Sequence, residues 1–152
     1  METVIDQIRR AAETLSFSPS ELRELPVTES ALVFGAALDR FVASGDRQWW
    51  WEDFRVPGAS MHFPDSDGWR HLVHIAPHAD ECVWFIAQDP YLAHYPVYET
   101  SVRHAMAVVG ECYGFEFYLV AKDLSWLLCE THHDVVYAVG EAVEQRLRSH
   151  GT

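Results

Sequence analysis

The chain has 152 residues, with 23 Asp and Glu against 11 Lys and Arg and a formal net charge of -12. This length suits one domain, and a hydrophobic fraction of 49% excludes a mostly disordered chain. So large an acidic excess disfavours nucleic acid and anionic membranes as partners. It favours a basic protein, because the field around the molecule attracts positive charge.

The N-terminus and the cysteines indicate where the protein resides. No apolar run approaches the roughly 18 residues that a membrane span requires, and the first residues are acidic where a signal peptide is basic. Cys82, Cys112 and Cys129 form an odd set without a C-x-x-C pair. We therefore expect buried thiols, with a catalytic thiolate still open for one of them, in a single cytoplasmic domain over residues 1–152.

Three helices are predicted before the first strand. Apolar residues at helical spacing predict the first helix over residues 4–15. Residues 18–21 resemble a capping box with proline at the first helical position, which predicts a short helix that ends before Pro26. Thr28 is expected to cap the third helix, which ends near a Ser-Gly-Asp turn.

The middle of the chain is predicted to form strands. From Gln48 the hydrophobic period changes to two, which predicts a strand that ends near residues 57–58. Residues 61–63 and 69–76 flank turn-forming residues and predict a hairpin. Residues 82–88 are nearly all apolar and predict a central strand covered on both faces. Such strands are usual in parallel sheets, but an antiparallel arrangement stays open.

The C-terminal part is predicted as helix, two strands and helix. The helix covers residues 97–112, the strands cover 115–121 and 125–130, and Thr131 with Asp134 forms the capping box of the last helix. The element order is ααα-βββ(β)-α-ββ-α. It predicts an α+β fold with an antiparallel sheet and helices grouped mainly on one face. The expected core includes Val83, Phe85, Leu119, Leu127, Val136 and Val139.

Two groups of histidines lie at predicted strand ends, where functional sites are common. They are His74, His78, His132 and His133. With Asp80 or Glu130 as a base or ligand, they could serve a small metal-dependent hydrolase. Neither group supplies a complete ligand set at a diagnostic spacing, so we expect no metal and no cofactor. The sequence also has no phosphate-binding glycine loop, zincin motif or nucleophile elbow.

The triple tryptophan Trp49-Trp50-Trp51 is the least expected feature of the sequence. Adjacent side chains of a strand point to opposite faces, so the three rings cannot enter one core. If Trp50 is buried, Trp49 and Trp51 face either a covering helix or solvent, beside Glu52 and Asp53. An exposed pair would form an aromatic and acidic surface of the kind that anchors protein interfaces.

A segment of the C-terminal third carries a family resemblance. Its residues are Phe117, Tyr118, Leu119, Val120 and Lys122, then 126–130, His132, His133, Asp134 and Gly140. The segment resembles a family of small bacterial proteins of unknown function over about residues 95–147. Proteins of this general kind are similar in size and acidity to immunity proteins that neutralise polymorphic or contact-delivered toxins. The resemblance brings no catalytic residues.

These features favour a non-enzymatic binding module. We expect an immunity-like or antitoxin-like protein that blocks the basic site of a partner protein, such as a toxin, by steric and electrostatic means. The expected binding residues are Trp49, Trp51, Glu52 and Asp53. The metal-dependent hydrolase is the main alternative, and a structural subunit of a larger assembly is a third.

Overall fold

The computed structural model of the chain describes residues 2–112 and 114–150. These residues form five helices and seven strands. In chain order they are α1 (Val4–Leu15), β1 (Leu22–Glu24), α2 (Val27–Phe41), β2 (Ala59–His62), α3 (Leu72–Ile75), β3 (Cys82–Ala87), β4 (Val97–Ser101), α4 (Val102–Gly110), β5 (Phe117–Ala121), β6 (Leu127–Glu130), β7 (Val135–Val139) and α5 (Glu141–His150). Short 3-10 turns at Trp50–Glu52 and Gly68–His71 complete the order.

The strands form one antiparallel sheet, and the α+β prediction is confirmed. The strand order is β1-β4-β3-β5-β6-β7-β2. Strand β3 pairs with β4 on one side and β5 on the other, in both cases antiparallel. The apolar run at residues 82–88 is therefore a central strand, as its composition predicted, and it is antiparallel.

Both faces of the sheet are covered, which gives two core layers. Phe85 and Leu119 lie on the face that packs against α1, α3, α4 and α5. Val120 and Leu127 lie on the other face, against α2 and Trp50. Four of the five helices of the described chain thus share one face, as predicted. All six expected core residues are buried: Val83, Phe85, Leu119, Leu127, Val136 and Val139.

The short helix predicted to open at residues 18–21 and to end before Pro26 is wrong. The backbone N–H of Ser18 does donate to the Glu21 carboxylate at 2.9 Å, as in a capping box, but the segment is a turn. Strand β1 follows immediately and pairs with β4, with Arg23 opposite Glu99. Pairing with the edge of the sheet overrides a local helix signal that spans only a few residues.

The strand predicted from Gln48 and the hairpin predicted over residues 61–76 are also wrong. The tryptophan segment is a 3-10 turn, and Phe54 makes only an isolated bridge with Val42. Strand β2 ends at His62 and pairs with β7, while the residues after Asp67 form a 3-10 turn and α3. Trp50 is buried between two partly exposed tryptophans because the chain turns here, and not because it forms an extended strand.

Two predicted helices begin too early. The first five residues of the 97–112 segment form strand β4, and α4 begins only after Ser101, whose hydroxyl accepts the His104 N–H at 3.0 Å. Residues 131–134 form a tight β-turn, in which Asp134 has φ of 63°. Strand β7 follows because its β-branched residues pair with both β6 and β2.

Within the described residues, no helix combines the length and the apolar character that crossing a membrane requires.

Candidate functional site

A buried tryptophan anchors the loop between α2 and β2. Trp50 is fully buried, and its ring stacks on the Tyr118 ring with centroids 4.1 Å apart. Its backbone N–H donates to the Tyr118 hydroxyl at 3.2 Å, and its indole N–H donates to the Arg47 carbonyl at 3.0 Å. Because Trp49 adopts a left-handed conformation with φ of 52°, the chain turns sharply here. The outer two tryptophans are therefore held on the rim of the core.

Trp49 and Trp51 stack on each other beside His132. Their ring centroids are 6.1 Å apart, and both rings are partly exposed. The His132 ring lies 5.3 Å from Trp49 and 5.6 Å from Trp51. Tyr137 lies against the other side of Trp51, at 6.3 Å. We call Trp49, Trp51, Glu52, Glu116 and His132 the tryptophan surface.

Glu116, which immediately precedes β5, joins the loop to the end of the sheet. One carboxylate oxygen accepts the backbone N–H of His132 at 3.1 Å and contacts the Nδ1 atom of the same residue. The other oxygen accepts the indole N–H of Trp51 at 3.3 Å. Three donors thus converge on one carboxylate, which fixes the rings of both residues.

The two acids predicted for the surface have different roles. Glu52 is exposed beside the tryptophans. The Asp53 carboxylate accepts the backbone N–H of Ser44 at 2.9 Å, and hydrogen bonds from the side chain and the backbone of Ser44 lower the pKa of Asp53. Asp53 therefore closes the loop, whereas Glu52 faces solvent.

The histidines of the hydrolase hypothesis lie in separate neighbourhoods. The ring of His74 stacks on that of His150, at 6.3 Å, while His78 is exposed. Asp80, proposed as a base or ligand, pairs with Arg103 at 3.0 Å.

The second histidine pair lies at the tryptophan surface, to which His132 belongs. The rings of His132 and His133 are 4.0 Å apart, and His132 pairs with Glu116. Within residues 2–112 and 114–150, no three His, Cys, Asp or Glu side chains converge as a metal ion would require.

A cleft of about 580 Å³ lies next to the tryptophan surface, between the end of α4 and the ends of β5 and β6. Trp69, Phe115 and Phe117 contribute aromatic side chains to its walls, and Glu130 and Asp134 contribute carboxylates. Glu116 and His132 line the same cleft, so the cleft and the tryptophan surface share a border.

The Glu130 carboxyl is the unusual group of the cleft. Burial raises its pKa to about 7, and the nearby carboxylates of Asp134 and Asp67 add to the rise. The peptide N–H groups of Trp69 and Gly68 act in the opposite direction. Its Oε2 atom is buried and has no hydrogen-bond partner among the described residues. Close to neutral pH, both the neutral and the ionised form of this carboxyl are therefore populated.

Gly68 makes room for this carboxyl. A Cβ atom added at Gly68 would lie 2.5 Å from Oε2 of Glu130 and 2.9 Å from Cγ2 of Val136. The absence of a side chain at residue 68 therefore allows the Glu130 carboxyl to lie here.

A family model described as a family of unknown function, DUF6756, matches residues 2–151. The chain belongs to the DUF6756 family. No curated protein and no solved structure matches it. The resemblance to a family of unknown function is confirmed, and this DUF6756 chain matches the family over more than the C-terminal third.

The cysteines of this DUF6756 chain are not equivalent. Cys129 is buried, Cys112 is half-buried and Cys82 is exposed, so the expectation of buried thiols is wrong for Cys82. Burial raises the pKa of the Cys112 thiol to about 11 and also raises that of the Cys129 thiol. Both environments oppose a reactive thiolate.

Sequence reasoning missed two residues of the site. Glu116 is a charged residue between Phe115 and Phe117, and this interruption of an aromatic run was the available signal. Gly68 was interpreted only as a turn residue, because its contact with Glu130 joins distant parts of the chain.

Proposed function

We propose that this protein is a non-enzymatic binding module, an immunity-like or antitoxin-like inhibitor that covers the basic site of a partner protein. The tryptophan surface would make the contact. The observation that carries the proposal is the stacked, partly exposed pair of Trp49 and Trp51 beside the exposed acid Glu52. Tryptophans in such positions are frequent energetic anchors of protein interfaces.

The loop that presents this pair is held before any partner arrives. Trp50 is packed in the core, and Glu116 fixes the indole of Trp51. Holding side chains in place reduces the conformational entropy lost on binding, so more of the contact energy appears as affinity.

The charge of the molecule supports a basic partner. The net charge of -12 would steer a cationic surface towards the protein and raise the association rate, with an effect that salt screens. Blockade is favoured over hydrolysis because His74 and His132 have different neighbours and belong to no shared ligand set within the described residues.

The test begins with capture of partners from the native host, followed by binding kinetics at two salt concentrations. We expect the double variant Trp49→Ala, Trp51→Ala to dissociate at least tenfold faster. Glu52→Gln should mainly slow association and weaken its dependence on salt. Matched controls are Leu32→Ala, an exposed apolar residue of α2, and Glu13→Gln, an exposed acid of α1.

The same experiment contains the contrary results. Recovery of no partner contradicts the proposal. A second contrary result is a partner whose binding does not depend on salt and is unchanged by the double tryptophan substitution, although one of the controls weakens it.

A further inference from the structure

The cleft beside the tryptophan surface has the composition of a ligand site. Aromatic side chains of Trp69, Phe115 and Phe117 line it together with the carboxyl of Glu130. Its volume of about 580 Å³ lies within the usual range for small-molecule sites, which combine mostly apolar walls with a few polar groups.

Glu130 is not explained by the fold. It is the last residue of β6 and pairs in the sheet with Phe117 and Val136, positions that a neutral side chain would fill without electrostatic cost. Its Oε2 atom is buried without a hydrogen-bond partner among the described residues. Buried polar atoms are nearly always paired, and the exceptions concentrate at functional positions.

The charged side chains around Glu130 are acidic, while the peptide N–H groups of Trp69 and Gly68 favour its ionised form. Asp134 and Asp67 raise the negative potential at its carboxyl, and Glu116 lines the same cleft. Among the described residues of the cleft wall, His132 is the side chain that can carry a positive charge, and it is already paired with Glu116. A cation that entered the cleft would meet the Glu130 carboxylate, which forms no ion pair with the described residues, together with aromatic faces, which also attract positive charge.

We propose that this cleft binds an organic cation, an ammonium or guanidinium group carried on an apolar stem, with Glu130 as its counter-ion. The aromatic walls would cover the stem, and the carboxylate would accept the N–H groups of the cation. Such charge-assisted hydrogen bonds are stronger than neutral ones.

The cation could belong to a free amine or to a lysine or arginine side chain of a protein. This proposal does not rest on the function proposed for the tryptophan surface, because Trp49 and Trp51 do not line the cleft. The two proposals can therefore fail separately.

The test is an NMR titration of the ¹⁵N-labelled protein at pH 8 with phenethylammonium, with its neutral isostere 2-phenylethanol, and with N-acetyl-arginine methylamide. We expect saturable shifts at the Gly68 amide and the Trp69 indole N–H with at least one of the two cations. The neutral alcohol should bind at least tenfold more weakly than phenethylammonium if that amine binds. Tighter binding of phenethylammonium identifies a free amine as the source, and tighter binding of the arginine derivative identifies a protein side chain.

Variants make the result specific to the carboxylate. Glu130→Gln keeps the shape of the side chain and should weaken cation binding at least tenfold. Glu13→Gln, an exposed acid on α1, and Leu32→Ala, an exposed apolar residue of α2, should leave it unchanged. Absence of saturable shifts with both cations, equal binding of alcohol and amine, or unchanged affinity in a folded Glu130→Gln protein would overturn the proposal.

Discussion

Glu116 and Glu130 lie at the same end of the paired strands β5 and β6, yet their carboxylates differ in hydrogen bonding. Glu116 accepts from the backbone and ring of His132 and from the indole of Trp51. Glu130 has a buried oxygen without a partner and a pKa raised to about 7 by burial. One carboxylate holds the tryptophan surface in shape, whereas burial disfavours the ionised form of the other.

The largest expected effect concerns the anchor of the tryptophan surface. Trp50→Ala should lower the free energy of unfolding by about 3–5 kcal/mol, because a fully buried indole and its stacking on Tyr118 are lost. Trp49→Ala should cost about 1 kcal/mol or less, since its ring is partly exposed. Urea denaturation measures both values. Equal losses would show that the loop is not anchored by Trp50.

Gly68→Ala should lower the free energy of unfolding by about 1–3 kcal/mol, the usual cost of overpacking. The new methyl would lie 2.5 Å from Oε2 of Glu130. In a Glu130→Ala background the same substitution should cost less, because the obstructing carboxyl is gone. A double-mutant cycle by urea denaturation measures this coupling, and strictly additive losses would contradict the contact.

The isosteric substitutions Glu130→Gln and Glu116→Gln should have opposite signs at pH 8. Glu130→Gln should stabilise the protein by about 1–2 kcal/mol, a value reduced for solvent at the mouth of the cleft. Glu116→Gln should destabilise it by about 1–2 kcal/mol, because one amide oxygen cannot satisfy three donors. Urea denaturation measures both changes in the free energy of unfolding. Changes of the same sign would contradict the difference between the two carboxylates.

The gain from Glu130→Gln should depend on pH. In the unfolded chain this carboxyl ionises at its ordinary pKa of 4.5, and in the folded protein at about 7. The folded state therefore holds the proton more tightly. The stability gained from this tighter proton binding is complete below about pH 4.5 and is lost as the pH rises through 7. The advantage of the variant should grow over this interval and vanish in acid, and a constant difference would contradict the raised pKa.

The sequence predicted the fold class because the central strands are unambiguous. The apolar runs at β3 and β5 could only be buried strands, and their residues Phe85 and Leu119 lie in the core. Two of the errors fell on segments whose apolar residues fit both periods. Residues 97–101 and 135–139 were assigned to helices, although sheet pairing on both sides makes them strands.

The site was less accessible to sequence reasoning. The separation of Trp50 from its two neighbours followed from local geometry and agrees with the structure, although a turn produces it and not a strand. Glu130 was noted only as a base or ligand beside histidines. Its contact with Gly68 depends on packing between segments more than 60 residues apart, which no local pattern contains.

The most direct measurement is the titration of Glu130 itself, followed by NMR through the side-chain carboxyl of ¹³C-labelled glutamate. The account predicts a midpoint near pH 7 in the protein alone. It also predicts a clearly lower midpoint when phenethylammonium or the arginine derivative saturates the cleft, because a bound cation stabilises the ionised form. A midpoint at the ordinary value of 4.5 in the protein alone, or one that neither cation moves, would contradict it.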